Sequence, residues 1–233
     1  MIGHTHRDIT GGSFRAAIFG ASDGLVTNVS LILGVAGAHL SSGSVRLTGL
    51  AGLIAGAFSM AAGEYVSMKA QSELFEAELS IERHEIQVNP EGERMELTEL
   101  YQKRGLSPEV AKVVADEMMK NESLALEVHA REELGINPEN LGAPFKAALS
   151  SFVSFAVGAL IPLLPWFFIH TYLAVAISII LTFVSTVAIG LLLSTLTGKS
   201  KVKSVARQIG VTVLAAGVTY LIGYLVGTTN SVA

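Results

Sequence analysis

The sequence predicts an all-α membrane protein with five transmembrane helices and a three-helix cytoplasmic metal-binding domain inserted between spans two and three. Three observations lead there. Mean hydropathy is +0.52 and half the residues are hydrophobic, which is too apolar for an ordinary soluble domain. No Asp, Glu, Lys or Arg occurs in the 52 residues between Lys146 and Lys199. Conversely, 17 of the 20 acidic residues fall between Glu73 and Glu139, a polar block set into a greasy chain.

A span needs about 20 apolar residues. Phe14 to His39 carries only Arg15 and Asp23 as charges and supplies span one. Leu47 to Gly63 is uncharged and forms the membrane part of span two. No proline interrupts Gly49 to Val88, and good helix formers dominate after Glu64, so span two is expected to continue as one long helix into the acidic block. Asn89-Pro90-Glu91-Gly92 breaks it. A second helix is expected over 93–104. A third starts at Ser107-Pro108, an N-cap with an N1 proline, and runs toward Gly135. The 52-residue gap holds spans three and four, with Pro162, Pro165 and Trp166 at their turn and the indole as an interface anchor. Gln208 to Ala233 holds span five. The expected divisions are 1–68 for the N-terminal segment and spans one and two, 69–143 for the acidic domain, and 144–233 for spans three to five.

Charge orients the chain. Arg7, Arg15, Lys199, Lys201, Lys203 and Arg207 share the side of the acidic block, while the opposite loops hold only Arg46. The positive-inside rule makes the block cytoplasmic. From Lys69 to Lys146 there are 17 acids against 9 bases, which argues against nucleic acid as a partner. The absence of cysteine removes disulfides, thiolate metal sites and thiol nucleophiles. His4, His6, Arg7 and Asp8 do not open a cleaved signal peptide, so span one is expected to be retained. No Walker lysine motif or H-E-x-x-H occurs. A di-iron bundle wants Glu-x-x-His on two helices, but Ile81 precedes His84 and Leu126 precedes His129 at that spacing. An enzyme is not expected.

Asp23 is the first candidate functional residue, because an acid at membrane depth is costly and marks a functional site by default. Asp23 and Thr27 share a helical face, with Asn28 and Ser30 nearby, a polar stripe suited to a cation path. In span two, Met60 offers a thioether, and Glu64, one turn later, stands near the cytoplasmic boundary. In the block, Glu82 and Glu85 are i,i+3, and Glu93 and Glu96 repeat that spacing across the Pro-Gly break. Met118, Met119 and Glu122 add a sulfur-plus-carboxylate face. Two such pairs joined by a tight turn can converge oxygens on a divalent metal, although Glu-rich helices also serve as solvated faces. Gly20-x-x-x-Gly24 and Gly52-x-x-x-Gly56 permit close helix approach.

Together these segments resemble the vacuolar iron transporter family over nearly the whole chain. The resemblance rests on Gly20-Ala-Ser-Asp-Gly-Leu-Val-Thr27, on Gly56-Ala-Phe-Ser-Met-Ala-Ala-Gly-Glu-Tyr65, and on the acidic insert with Glu117-Met-Met-Lys-Asn-Glu122. It implies a homodimer with a translocation path on the two-fold axis, lined by spans one and two, where Asp23 and Met60 of both copies contact the metal. It implies that Glu82, Glu85, Glu93, Glu96, Met118, Met119 and Glu122 collect Fe²⁺ in the cytoplasm, and that a proton gradient drives export of Fe²⁺, often Mn²⁺ too. The Gly-x-x-x-Gly seam then becomes a candidate dimer contact. One departure concerns the proton: where some relatives carry a glutamate two turns before Met60, this chain has Gly52.

The expectation is therefore a homodimeric exporter of divalent metal from the cytoplasm, with Asp23, Thr27, Met60 and Glu64 along its path. No prosthetic group is expected. Fe²⁺ is the substrate, with Mn²⁺, Zn²⁺ and Co²⁺ as further cations that carboxylates and thioethers accept. A prokaryotic plasma membrane is favoured, or a vacuolar membrane in a eukaryote. The alternative is a membrane-anchored metal buffer or sensor without transport.

Overall fold

In the computed structural model, the described residues are 12–138, 141–169 and 172–230. The predicted contributions of His4, His6, Arg7 and Asp8 lie outside them. In chain order the helices are α1 (Gly12–Gly37), α2 (Ser42–Val88), α3 (Pro90–Lys103), α4 (Pro108–Met118), α5 (Glu122–Glu132), α6 (Pro144–Leu163), α7 (Tyr172–Thr197) and α8 (Lys201–Asn230). A 3-10 turn, Leu164–Phe167, follows α6. Five of these helices, α1, α2, α6, α7 and α8, are long and apolar enough to cross a bilayer. The chain divides into two compact units, residues 1–66 with 144–233, and residues 67–143.

In the first unit, α1 packs most extensively on α6, then on α8 and α7. Glycine sets the distance between α1 and α6. A Cβ at Gly24 would strike the carbonyl oxygen of Phe155, and one at Gly158 would strike that of Ala21. Lipid supplies no hydrophobic drive for helix association, so such backbone proximity and the hydrogen bonds it allows supply the adhesion. Here it lets the buried Asn28 Nδ2 donate to Ala159 O at 2.6 Å. Gly52 faces Leu31 and Asn28 of α1, and Gly56 faces the Phe155 ring. The Gly-x-x-x-Gly pairs therefore lie against neighbours of the same chain, the intramolecular packing that such spacing most often serves.

The α7 face toward its neighbours is also small and polar. Ala174, Ser178, Thr182, Thr186, Gly190 and Ser194 are all buried, and their four-residue spacing places them on one side of the helix. Trp166, expected as an interface anchor, is only 4% exposed. Its indole N–H donates to Ser178 Oγ at 3.0 Å, and that hydroxyl donates to Pro162 O at 2.7 Å. The 3-10 turn after α6 leaves that carbonyl to a side-chain donor, and α7 provides it.

α2 runs through both units. Its uncharged stretch ends at Gly63, and from Ser67 onward it is too rich in Glu, Lys and Arg for hydrocarbon. Within 67–143, each following helix starts at a side-chain cap. Asn89 accepts from Gly92 N at 3.1 Å, Ser107 from Val110 N at 3.4 Å, and Asn121 from Ser123 and Leu124 N at 2.9 and 3.1 Å. The last cap corrects the sequence reading. The expected third helix is two, α4 and α5, because Asn121 adopts extended backbone (φ −128°, ψ 120°) and restarts the helix. The acidic unit thus has four helical pieces rather than three. The second begins at Pro90, three residues earlier than expected. Arg94 pairs with Glu91 within α3 and ties α3 to α4 through Asp116, and Arg104 ties the end of α3 to Glu132 of α5.

Replacing Gly158 with Val should force α1 and α6 apart, since its Cβ has backbone rather than a flexible side chain to displace. A destabilisation of about 1–3 kcal/mol or more is expected, read as a lower melting temperature in detergent. An unchanged melting temperature would show that the glycine contact does not set the packing.

Candidate metal centre

The acidic unit concentrates its polar side chains at one buried point. Glu82 comes from α2, Glu93 from the first turn of α3, His129 from the last turn of α5 and Glu133 from its C-cap. His129 and Glu133 are i,i+4 and so share a helical face. One donor atom from each of the four residues lies within 4.8 Å of all the others. His129 Nδ1 is 3.1 Å from Glu82 Oε1, 3.3 Å from Glu133 Oε2 and 3.5 Å from Glu93 Oε2. The imidazole is 1% exposed, the Glu93 side chain 8% and that of Glu82 12%. The surrounding buried apolar residues of the unit are modest, chiefly Ile86, Leu97, Ala125, Ala130 and Ile136.

Three carboxylates in so dry a place cannot all hold their charge cheaply. Burial, and then the charges of Glu93 and Glu133, push the Glu82 carboxyl up to about 7 from its ordinary 4.5. Glu96 adjoins the cluster through a hydrogen bond with Glu133, and its carboxyl is raised by burial and by the Glu93 charge. A divalent cation offsets such an excess of negative charge. Glu82 Oε1 lies 3.1 Å from His129 Nδ1, but that nitrogen is directed at Glu133 Oε2, and the buried Glu82 oxygen accepts no hydrogen bond among the described residues.

Of the seven residues expected in this unit, Glu82 and Glu93 converge and Glu96 lies beside them. Glu85, Met118 and Met119 are half-buried outside the four-residue group. Glu122 is exposed and accepts from Gln87 Nε2 at 2.6 Å. His129 and Glu133 were not expected here. His129 has no Glu-x-x-His on its own helix, and two of its three carboxylates come from α2 and α3. The signal available in the sequence was the His129–Glu133 spacing of four.

In the membrane unit, Asp23 lies on an exposed face of α1, with Thr27 Oγ1 donating to its Oδ1 at 3.5 Å. Ser30 is buried, and its hydroxyl has no partner among the described residues. Met60 is half-buried and packs against Ala57, Phe155 and Ala159. Glu64, 20% exposed, meets Arg15 Nη2 at 3.5 Å, which links α2 to α1.

The sequence pattern of the VIT family matches residues 14–224. A vacuolar iron transporter of Acanthamoeba castellanii is 43% identical over 164 residues, covering 70% of this chain and 59% of that protein. Vacuolar iron transporter 1 of Oryza sativa subsp. japonica is 32% identical over 219 residues, covering 93% and 87%. Vacuolar iron transporter 1 of Arabidopsis thaliana is 29% identical over 225 residues, covering 96% and 90%. All three names are those of transporters rather than enzymes.

The raised Glu82 carboxyl sets a pH dependence for the metal-free protein. An unfolded chain ionises this group near 4.5, the folded one near 7. Its contribution to stability is therefore complete below pH 4.5 and lost as pH rises through about 7. Metal-free protein should melt at a higher temperature at pH 6 than at pH 8, and Glu82→Gln should flatten that difference. Equal slopes for the two proteins would remove Glu82 as the cause.

Proposed function

The chain belongs to the VIT family, and we propose that it carries divalent metal, with Fe²⁺ as the favoured substrate, across a membrane. The observation that carries this reading is the convergence of Glu82, Glu93 and Glu133 with His129 in a chain that also has five membrane-crossing helices. In this reading the acidic unit collects the cation and Asp23 passes it through hydrocarbon. Glu96 borders the collecting cluster, and Glu85, Met118, Met119 and Glu122 extend it within the same unit. The names of the relatives support iron as the substrate. Mn²⁺, Co²⁺ and Zn²⁺ fit the same donor types.

Transport proceeds through a homodimer, with Asp23, Thr27, Met60 and Glu64 of each copy along a shared path. The support is energetic. An acid in the middle of a span costs about 3 kcal/mol or more in hydrocarbon, yet Asp23 is exposed on the single chain, and a second copy would cover it. Small exposed residues flank Met60 on α2, among them Ala55, Ser59 and Ala62, and they leave room for a partner helix. Glu64 is paired with Arg15, so an arriving cation competes with a guanidinium for that carboxylate. Asp23 acts as ligand and proton carrier in turn. The metal displaces its proton on arrival, and a proton from the far side releases the metal. The acidic unit faces the cytoplasm, export runs outward, and a proton gradient drives it, with Gly52 excluding a second acid two turns before Met60.

The test is Fe²⁺ flux in proteoliposomes under an imposed pH gradient, with Mn²⁺ and Zn²⁺ compared. Wild type should move Fe²⁺ along the direction the gradient sets. Asp23→Ala should lose at least tenfold of that flux and keep the cation binding of the acidic unit. Normal flux in the variant would remove Asp23 from the path, and tight binding without flux in wild type would describe a metal buffer or sensor instead.

A further inference from the structure

The role of His129 is not settled by the presence of carboxylates around it. A ring nitrogen carries at most one proton, yet Nδ1 lies 3.1, 3.3 and 3.5 Å from oxygens of three different glutamates. One N–H satisfies one of these contacts at a time. The other ring nitrogen, Nε2, is buried without a hydrogen-bond partner among the described residues. A histidine kept only for packing would satisfy one glutamate through Nδ1, as it does Glu133 Oε2 at 3.3 Å, and leave the buried Glu82 Oε1 of the same cluster without a donor.

The spacing fits a different role. Bonds from a divalent transition metal to imidazole nitrogen and carboxylate oxygen are about 2.0–2.2 Å. Neighbouring donors around such an ion are then separated by about 3.4 Å in a tetrahedron and about 3.0 Å in an octahedron. The three Nδ1-to-oxygen distances, 3.1, 3.3 and 3.5 Å, lie within about 0.1 Å of that range.

We propose that His129 is a nitrogen ligand of the cation-collecting site and its specificity-determining residue, and that Glu133 completes the donor set with Glu82 and Glu93. The inference rests on the reading of this unit as a cation-collecting site and adds the class of metal it accepts. Oxygen donors alone suit Mg²⁺, Ca²⁺ and Mn²⁺, whereas imidazole suits Fe²⁺, Co²⁺ and Zn²⁺. One nitrogen among three carboxylates biases the site away from the abundant hard cations. His129 thereby does within the acidic unit what the glutamates cannot do by charge.

The experiment uses the full chain in detergent, with Mn²⁺, Co²⁺ and Zn²⁺ as probes. Pulsed electron paramagnetic resonance of the Mn²⁺-loaded protein reads nitrogen coupling directly and needs no variant. Wild type should show imidazole ¹⁴N coupling, and His84→Gln, which alters an exposed ring of the same unit, should retain it. His129→Gln should lose the coupling, bind Co²⁺ and Zn²⁺ at least tenfold more weakly, and keep Mn²⁺ affinity within about threefold. Cation bound without nitrogen coupling, or a loss of affinity equal for all three metals, overturns the role of His129 and leaves the collecting site standing. No cation bound by wild type at all overturns the collecting site itself, and the ligand role with it.

Discussion

Three carboxylates drawn around one imidazole nitrogen impose the constraint on which the acidic unit depends. Such a cluster is costly in a dry environment unless its charge is reduced, by a proton on Glu82 or by a cation. The helices of the unit place these groups together from separate parts of the chain, Glu82 on α2, Glu93 on α3 and the other two at the end of α5. Each helix starts at a specific cap, and Arg94 and Arg104 bind α3 to its neighbours. Few large apolar residues lie at the centre of the unit, and these polar ties add to their packing. A fold that gathers like charges in this way is suited to taking up a counter-ion.

The membrane unit solves the opposite problem. It must hold helices together where hydrophobic burial gives no advantage. Glycines on α1 and α6 bring the two backbones into contact, and Asn28 exploits that proximity with a hydrogen bond to Ala159 O. Small and hydroxyl-bearing residues line the buried side of α7 in the same way. Because these surfaces are occupied inside the chain, Asp23 is left exposed on α1, with the half-buried Thr27 donating to it. The packing therefore decides which polar residues of span one are buried among neighbouring helices and which are not.

Much of the architecture was legible in the sequence because charge and proline are strong signals. The 52-residue uncharged gap, the long α2 without proline and the Asn89-Pro90 break all appear as helices and ends where their chemistry requires. The break at Asn121 was not read, since helix formers surround it and only the cap geometry shows that the helix restarts. Glu82 and Glu93 were singled out from local spacing, and that spacing also pointed to Glu85 and Glu122, which lie outside the cluster. His129 is only partly legible: the spacing of four to Glu133 is local, but Glu82 and Glu93 come from other helices, and no pattern along one helix reports contacts of that kind. The burial of Trp166 is illegible for a related reason: its partner Ser178 lies on the next span.

The most direct measurement is anomalous diffraction at the iron edge from crystals of the full chain loaded anaerobically with Fe²⁺. The account predicts a peak between Glu82, Glu93, His129 and Glu133, within bonding distance of all four side chains. An iron peak elsewhere in the acidic unit, with this cluster empty, would contradict it.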